Sequence, residues 1–160
     1  MSGDFKTSFL DYFNREDCGK RPAVNLKALK IWDTKKDPNE WMYYTLNCAG
    51  RYLIWVIDTN PNPDKRYLAV GLSLVGEGAS ADLTRLQANE AKLREELDWP
   101  LSRRLIWSFP TESDGNGYMT MVNDNIDPTD SNQWKDAYAW MCERLVISQP
   151  VLKAWCRKRK

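Results

Sequence analysis

Between Trp41 and Val75 three runs alternate in hydropathy with a period of two: WMYYTLNC, RYLIWVID and RYLAVGLSLV. Side chains at every second position of an extended chain share a face, so such runs are half-buried strands. The Ala49-Gly50 dipeptide separates the first two runs and predicts a tight hairpin, while TNPNPDK, with two prolines, forces a loop before the third. This constrains the fold more than any other feature, because strands so close in sequence pair antiparallel and need a layer over their apolar face. In the first run that face carries Met42, Tyr44, Leu46 and Cys48; in the third it carries Leu68, Val70, Leu72 and Leu74. The opposite face of the third run holds Ala69, Gly71 and Ser73 and reads as solvent-facing, with close approach of another element or a ligand as the other reading.

The covering layer comes from segments of helical period. Phe5, Phe9, Tyr12 and Phe13 form an N-terminal stripe, with Ser2 or Asp4 as cap and Gly19 as stop. AVNLKALKIW fits either a short strand or a helical turn, and DTKKDPNE reads as a polar loop. A second helix starts near Ser80 and carries Leu83, Leu86, Leu93 and Leu97 on one stripe. In KLREELDWPLSRRLIW the leucines leave Glu95 and Glu96 on the solvent side, Pro100 ends the helix, and RRLIWSF resumes alternation with Leu105 and Trp107 together. TESDGNG is a turn and YMTMVND a strand, completing a second hairpin. DNIDPTDS has the acids of a calcium loop, but Pro128 and Trp134 stand where glycine and glutamate belong, so capping by Thr129 or Asp130 is preferred. SNQWKDAYAWMCERLVI is the third long helix. Ser148 and Pro150 predict a break, followed by a short helix with Val151, Leu152 and Trp155. The expectation is an α+β domain over 1–150, with about five mostly antiparallel strands and helices on one face. Residues 151–160 then form a short helix and basic tail. The order is helix, three strands, helix, two strands, helix, short helix.

Composition limits the chemistry. There is no histidine, which removes Ser–His–Asp, Cys–His and imidazole acid–base catalysis. Cys18, Cys48, Cys142 and Cys156 are scattered singly and read as reduced thiols; neither a metal nor a cofactor is expected. No signal peptide and no apolar run of membrane-spanning length is present, so a cytoplasmic setting without membrane association is expected. The last eight residues, KAWCRKRK, carry five positive charges and no acid, leaving 18 basic against 22 acidic residues, a net of −4, in the rest. Lys153, Arg157, Lys158, Arg159 and Lys160, with Trp155 to stack on a base, are therefore the candidate nucleic-acid contacts; a solvated helix end is the plainer reading. Gly76 and Gly78 precede a helix, but without a Walker lysine or a third glycine they read as a turn and cap.

FLDYFN, YLAVGLSL with LTRLQANEAKLREEL, and QWKDAYAWMCERL together resemble an uncharacterised bacterial domain family found at the C-terminus of restriction-endonuclease-like and mobile-element-associated proteins. In that family the helix has an Ile-Glu pair with glycine four residues after the glutamate; here these positions are Leu93-Arg94 and Asp98. The resemblance brings no catalytic residues. It implies a setting of defence, counter-defence or DNA processing. The element order is also that of restriction-type nuclease cores, whose site needs an acid at the end of the second strand and Glu-x-Lys on the third. Asp58 meets the first need, but LAVGLSL lacks the second, so a degenerate nuclease-like core is the most this analogy allows. The leading expectation is a non-enzymatic binding or regulatory domain in bacterial or phage conflict. It would engage a protein partner, with weak nucleic-acid contact and homo-oligomerisation left open. The alternative is a metal-assisted enzyme acting on nucleic acid or nucleotides through Asp58, Glu77 or Glu90, although Glu90 falls by spacing on or beside the leucine stripe, where a stripe-edge acid paired with an arginine is the plainer reading.

Overall fold

The computed structural model describes residues 28–32, 39–58, 61–112 and 115–157. The elements are β1 (Ala28–Trp32), β2 (Asn39–Cys48), β3 (Arg51–Asp58), β4 (Tyr67–Val75), α1 (Ala79–Ala88), α2 (Glu90–Glu96), β5 (Leu105–Ser108), β6 (Asn116–Asn123) and α3 (Trp134–Arg157). The strands form one sheet in the order β1-β2-β3-β4-β6-β5, with every neighbouring pair antiparallel. The α+β class and both hairpins stand as read from the sequence. The sheet has six strands, because Ala28–Trp32 pairs with β2. The aromatic stripe from Phe5 to Phe13, and Cys18, lie outside the described residues.

The alternation sorts the side chains as expected. Leu53, Trp55 and Ile57 of β3, Leu68, Val70, Leu72 and Leu74 of β4, and Met119 and Met121 of β6 are all 0% exposed and face the helices. Leu83, Leu86, Leu93 and Leu97 meet them from α1 and α2, and Met141, Leu145 and Leu152 from α3. Burying each leucine fully contributes about 1.5–3 kcal/mol relative to exposure, so this layer dominates the stability. Trp55 satisfies its indole N–H on the Tyr44 hydroxyl at 3.1 Å, within the same layer.

The other face corrects one expectation. Ala69, Gly71 and Ser73 are buried, not solvent-facing, and Ile54, Val56 and Val122 are buried with Ala69. Gly71 is small because a Cβ there would lie 1.9 Å from the Met119 carbonyl oxygen of the neighbouring strand. The solvent-facing reading therefore fails, and Gly71 lies against the backbone of the paired strand β6.

The helices differ in two details. The expected single helix after Ser80 is interrupted at Asn89 into α1 and α2. The expected break at Ser148 and Pro150 is absent: α3 continues through Pro150 to Arg157. A helix-interior proline forfeits one hydrogen bond and costs about 3 kcal/mol. Burial of Met141 and Leu145 before it, and of Leu152, Trp155 and Cys156 after it, holds both halves on the sheet. The division at residue 150 is thus not a structural boundary. Ahead of α3 the capping reading holds for Asp130, which caps the 3-10 turn Ser131–Gln133 by accepting the Asn132 N–H at 3.0 Å. Asp127 accepts from the Thr129 N–H, the Thr129 hydroxyl and Arg66. No helix among the described residues is long and apolar enough to cross a membrane.

Candidate functional site

Two ends of the helical layer concentrate charge. At the first, Arg51 opens β3 with its side chain fully buried, beside Asp82 in the first turn of α1. Its Nε and Nη2 donate to Asp82 Oδ2 at 2.8 and 2.7 Å, Nη1 to the Gly50 and Val75 carbonyls at 3.1 Å each, and Nη2 also to the Glu77 carbonyl at 3.3 Å. The Gly76–Gly78 loop therefore turns carbonyl oxygens toward a guanidinium. A phosphate cradle turns N–H groups inward, so this loop has the opposite polarity and the turn reading stands.

The second end answers what KLREELDWPLSRRLIW does. The Trp99 N–H donates to the Arg94 carbonyl at 2.8 Å and the Asp98 N–H to the Glu95 carbonyl at 3.1 Å. This is a Schellman stop, with Asp98 in the left-handed conformation at φ 51°. The Arg103 N–H then bonds the Pro100 carbonyl at 3.0 Å, closing a tight turn. Arg94 pins both ends of that turn: Nη1 donates to the Pro100 and Arg103 carbonyls at 2.7 and 2.9 Å while Nε holds Glu90 at 2.8 Å. At the tip, Leu101 is 81% exposed.

Around the turn the aromatics and arginines interlock. Trp99 is buried, donates its indole N–H to the Arg104 carbonyl at 3.0 Å, and packs its ring edge-on to Trp140. The guanidinium groups of Arg103 and Arg144 lie 5.6 and 5.4 Å from its ring centroid, within cation–π range. Buried Arg144 also donates from Nη1 to the Leu97 carbonyl at 2.8 Å, neutralising the negative end of α2, and from Nη2 to Glu143 at 3.2 Å. An open recess of about 460 Å³ lies between the turn and α3, lined by Asp98, Trp99, Pro100, Arg103, Trp140, Glu143 and Arg144. A second, of about 340 Å³, lies on the α2 side, lined by Ala91, Arg94, Glu95, Asp98, Trp99, Pro100 and Leu101. The two share the Asp98–Pro100 ridge.

The residues singled out from the sequence do not gather. Glu90 is bound by Arg94 and by the Trp107 indole N–H at 2.9 Å. Its pKa is lowered, chiefly by the Arg94 hydrogen bond and against the opposing effect of burial, with Trp107 helping. It is thus the stripe-edge acid paired with an arginine, and a poor general base at neutral pH. Asp58 closes β3, and Glu77 is exposed beyond the end of β4. The β3–β4 register runs from Asp58↔Tyr67 to Arg51↔Leu74, so these two acids lie at opposite ends of the ladder, on the order of 25 Å apart. Among the described residues, no group of three or more Cys, Asp or Glu side chains is placed to hold a metal ion.

In the tail, Trp155 is 5% exposed, with its indole N–H on Glu96 at 2.9 Å and its carbonyl accepting from Arg85 at 3.0 Å. It has no free face for a base, because α3 uses this residue to dock on α1 and α2. Lys153 is half-buried and Arg157 exposed, while Lys158, Arg159 and Lys160 lie outside the described residues. Cys48, Cys142 and Cys156 are free thiols. Burial, with a smaller contribution from nearby Cys48, pushes the Cys156 thiol up to about 12, which keeps it an unreactive thiol.

Comparison of the chain with protein-family models, with curated proteins and with solved structures returns no match in any of the three.

Proposed function

We propose that this chain is a binding domain that engages a protein partner through the Pro100–Arg103 turn and its two recesses, in the setting of bacterial or phage conflict that the resemblance implies. The observation that carries the reading is the pinned leucine. Leu101 is 81% exposed on a turn that Arg94 clamps at two carbonyls. An isolated exposed leucine is ordinary. A leucine on a clamped turn, lining one recess with the other across the shared ridge, is an anchor whose backbone ordering cost has been met before binding. Trp140 and Arg103, which line the recess across the ridge, are of the residue types that dominate interface energetics. Nothing favours the carboxylate-enzyme reading to the same degree, since Asp58, Glu77 and Glu90 stand apart and Glu90 is spent on Arg94 and Trp107.

A photo-crosslinking amino acid placed at Leu101 in the full-length chain tests this in the native host. The expected result is one dominant protein adduct, absent when the crosslinker replaces Val75 at the opposite end of the layer. The purified adduct partner should bind the unmodified chain and lose most of its affinity for Leu101→Asp, whose melting temperature stays unchanged. Equal adducts from both positions, or undiminished binding by Leu101→Asp, would overturn the reading.

A further inference from the structure

We infer that the recess between the turn and α3 receives a basic side chain, arginine or lysine, presented by the partner next to an apolar residue that meets Leu101. This rests on the protein-binding reading above and adds the chemistry of the partner.

The argument is an account of which charges are already spent. Of the three arginines around the recesses, Arg94 and Arg144 have side chains only 10% and 4% exposed. Their donors are used on Glu90, on Glu143 and on the Pro100, Arg103 and Leu97 carbonyls. Arg103 is exposed, and its guanidinium is held over Trp99. The carboxylates are in a different state. Asp98 is exposed, and its side chain makes no hydrogen bond among the described residues. Among the described residues Glu143 meets only Arg144, at 3.2 Å, and its side chain remains 64% exposed. Both line the same recess, with half-buried Trp140 beside them.

A guest therefore finds two carboxylates with unused acceptor capacity and one exposed cation. A basic head group can bond Asp98 and Glu143 while its aliphatic stem lies along the Trp140 ring. An acidic guest, or the phosphates of a nucleic acid, would gain Arg103 alone and face both carboxylates. Leu101, just across the shared ridge, sets the apolar contact next to the basic one.

The test follows the Trp140 indole N–H by NMR in the isotope-labelled full-length chain, with the signal assigned through Trp140→Phe. The probes are a short capped peptide alternating leucine and arginine, the same peptide with glutamate for arginine, and a short single-stranded oligonucleotide. The expected result is a saturable shift with the arginine peptide only, weakened by added salt. Asp98→Asn combined with Glu143→Gln should weaken it roughly tenfold, the loss of two partly exposed ion pairs. The inference is overturned if the glutamate peptide or the oligonucleotide shifts Trp140 as strongly. It is equally overturned if the double variant binds as before, or if no probe shifts Trp140. Should the Leu101 crosslink persist through any of these outcomes, the protein-binding reading stands and only the basic chemistry falls. Should the crosslink also be absent, both fall.

Discussion

Arg51 and Arg103 mark opposite uses of the same side chain. Arg51 is wholly enclosed, and all of its N–H donors are consumed by Asp82 and three carbonyls. Arg103 is exposed, held by ring contact with Trp99, with Asp98 and Glu143 close by. The first cluster closes on itself and leaves nothing for a ligand. The second leaves hydrogen-bonding capacity facing solvent beside a fixed apolar tip. Density of charge therefore says little about function; unspent charge on a rigid frame says more.

The largest effect that separates the two regions is expected at Arg51. Arg51→Met takes the close ion-pair partner from the buried Asp82 carboxylate, leaving Arg85 at 3.9 Å, and removes a donor from three carbonyls; it should cost about 3–5 kcal/mol in urea unfolding. Adding Asp82→Leu should restore most of it, since an apolar pair of similar volume removes the stranded charge. At the open end Arg144 is the one buried arginine of the Trp99 cluster. Arg144→Met leaves the Leu97 carbonyl without its donor at the end of α2, and a loss of about 2 kcal/mol is expected in the same measurement.

Glu90 sharpens the comparison through pH. Its pKa is held below the ordinary 4.5, chiefly by Arg94, so its ionised form is favoured by the fold. Its contribution is complete above the unfolded value and disappears as pH falls through the lowered folded value. The stability gap between the native chain and Glu90→Gln should thus be widest near neutrality and narrow below about pH 4.5 in denaturant titrations. Smaller still, Asp98→Gly relieves a left-handed aspartate and should raise stability by about 0.5–1 kcal/mol while weakening partner binding. Arg103→Ala, losing one exposed ring contact, should cost about 0.5–1 kcal/mol at most in the same unfolding measurement.

The fold was largely legible because period-two alternation is a local signal. The runs around Leu53–Ile57 and Leu68–Leu74 could hardly bury their apolar sets in another way. The leucine stripe of α1 and α2 was legible for the same reason. What escaped depended on distant partners. Pro150 reads as a breaker until burial on both sides outweighs it, and Ser73 reads as solvent-facing until the second face proves buried. The candidate site was only partly legible. Its charges and tryptophans were visible in one stretch, and the place of Glu90 beside the leucine stripe followed from helical spacing, with Arg94 its partner in the structure. The donation from Arg144 to Leu97 spans 47 positions and that from Arg51 to Asp82 spans 31, so nothing local separates the two clusters. Trp155 misled for a related reason: beside five positive charges it looked available, but Glu96, 59 positions away, holds its N–H.

The division between a closed cluster and an open one is tested most directly by amide hydrogen exchange, resolved by residue, with and without the partner captured at Leu101. The account predicts added protection at 98–104 and 139–144 and none at 76–82. Protection appearing at 76–82, or no change at 98–104, would contradict it.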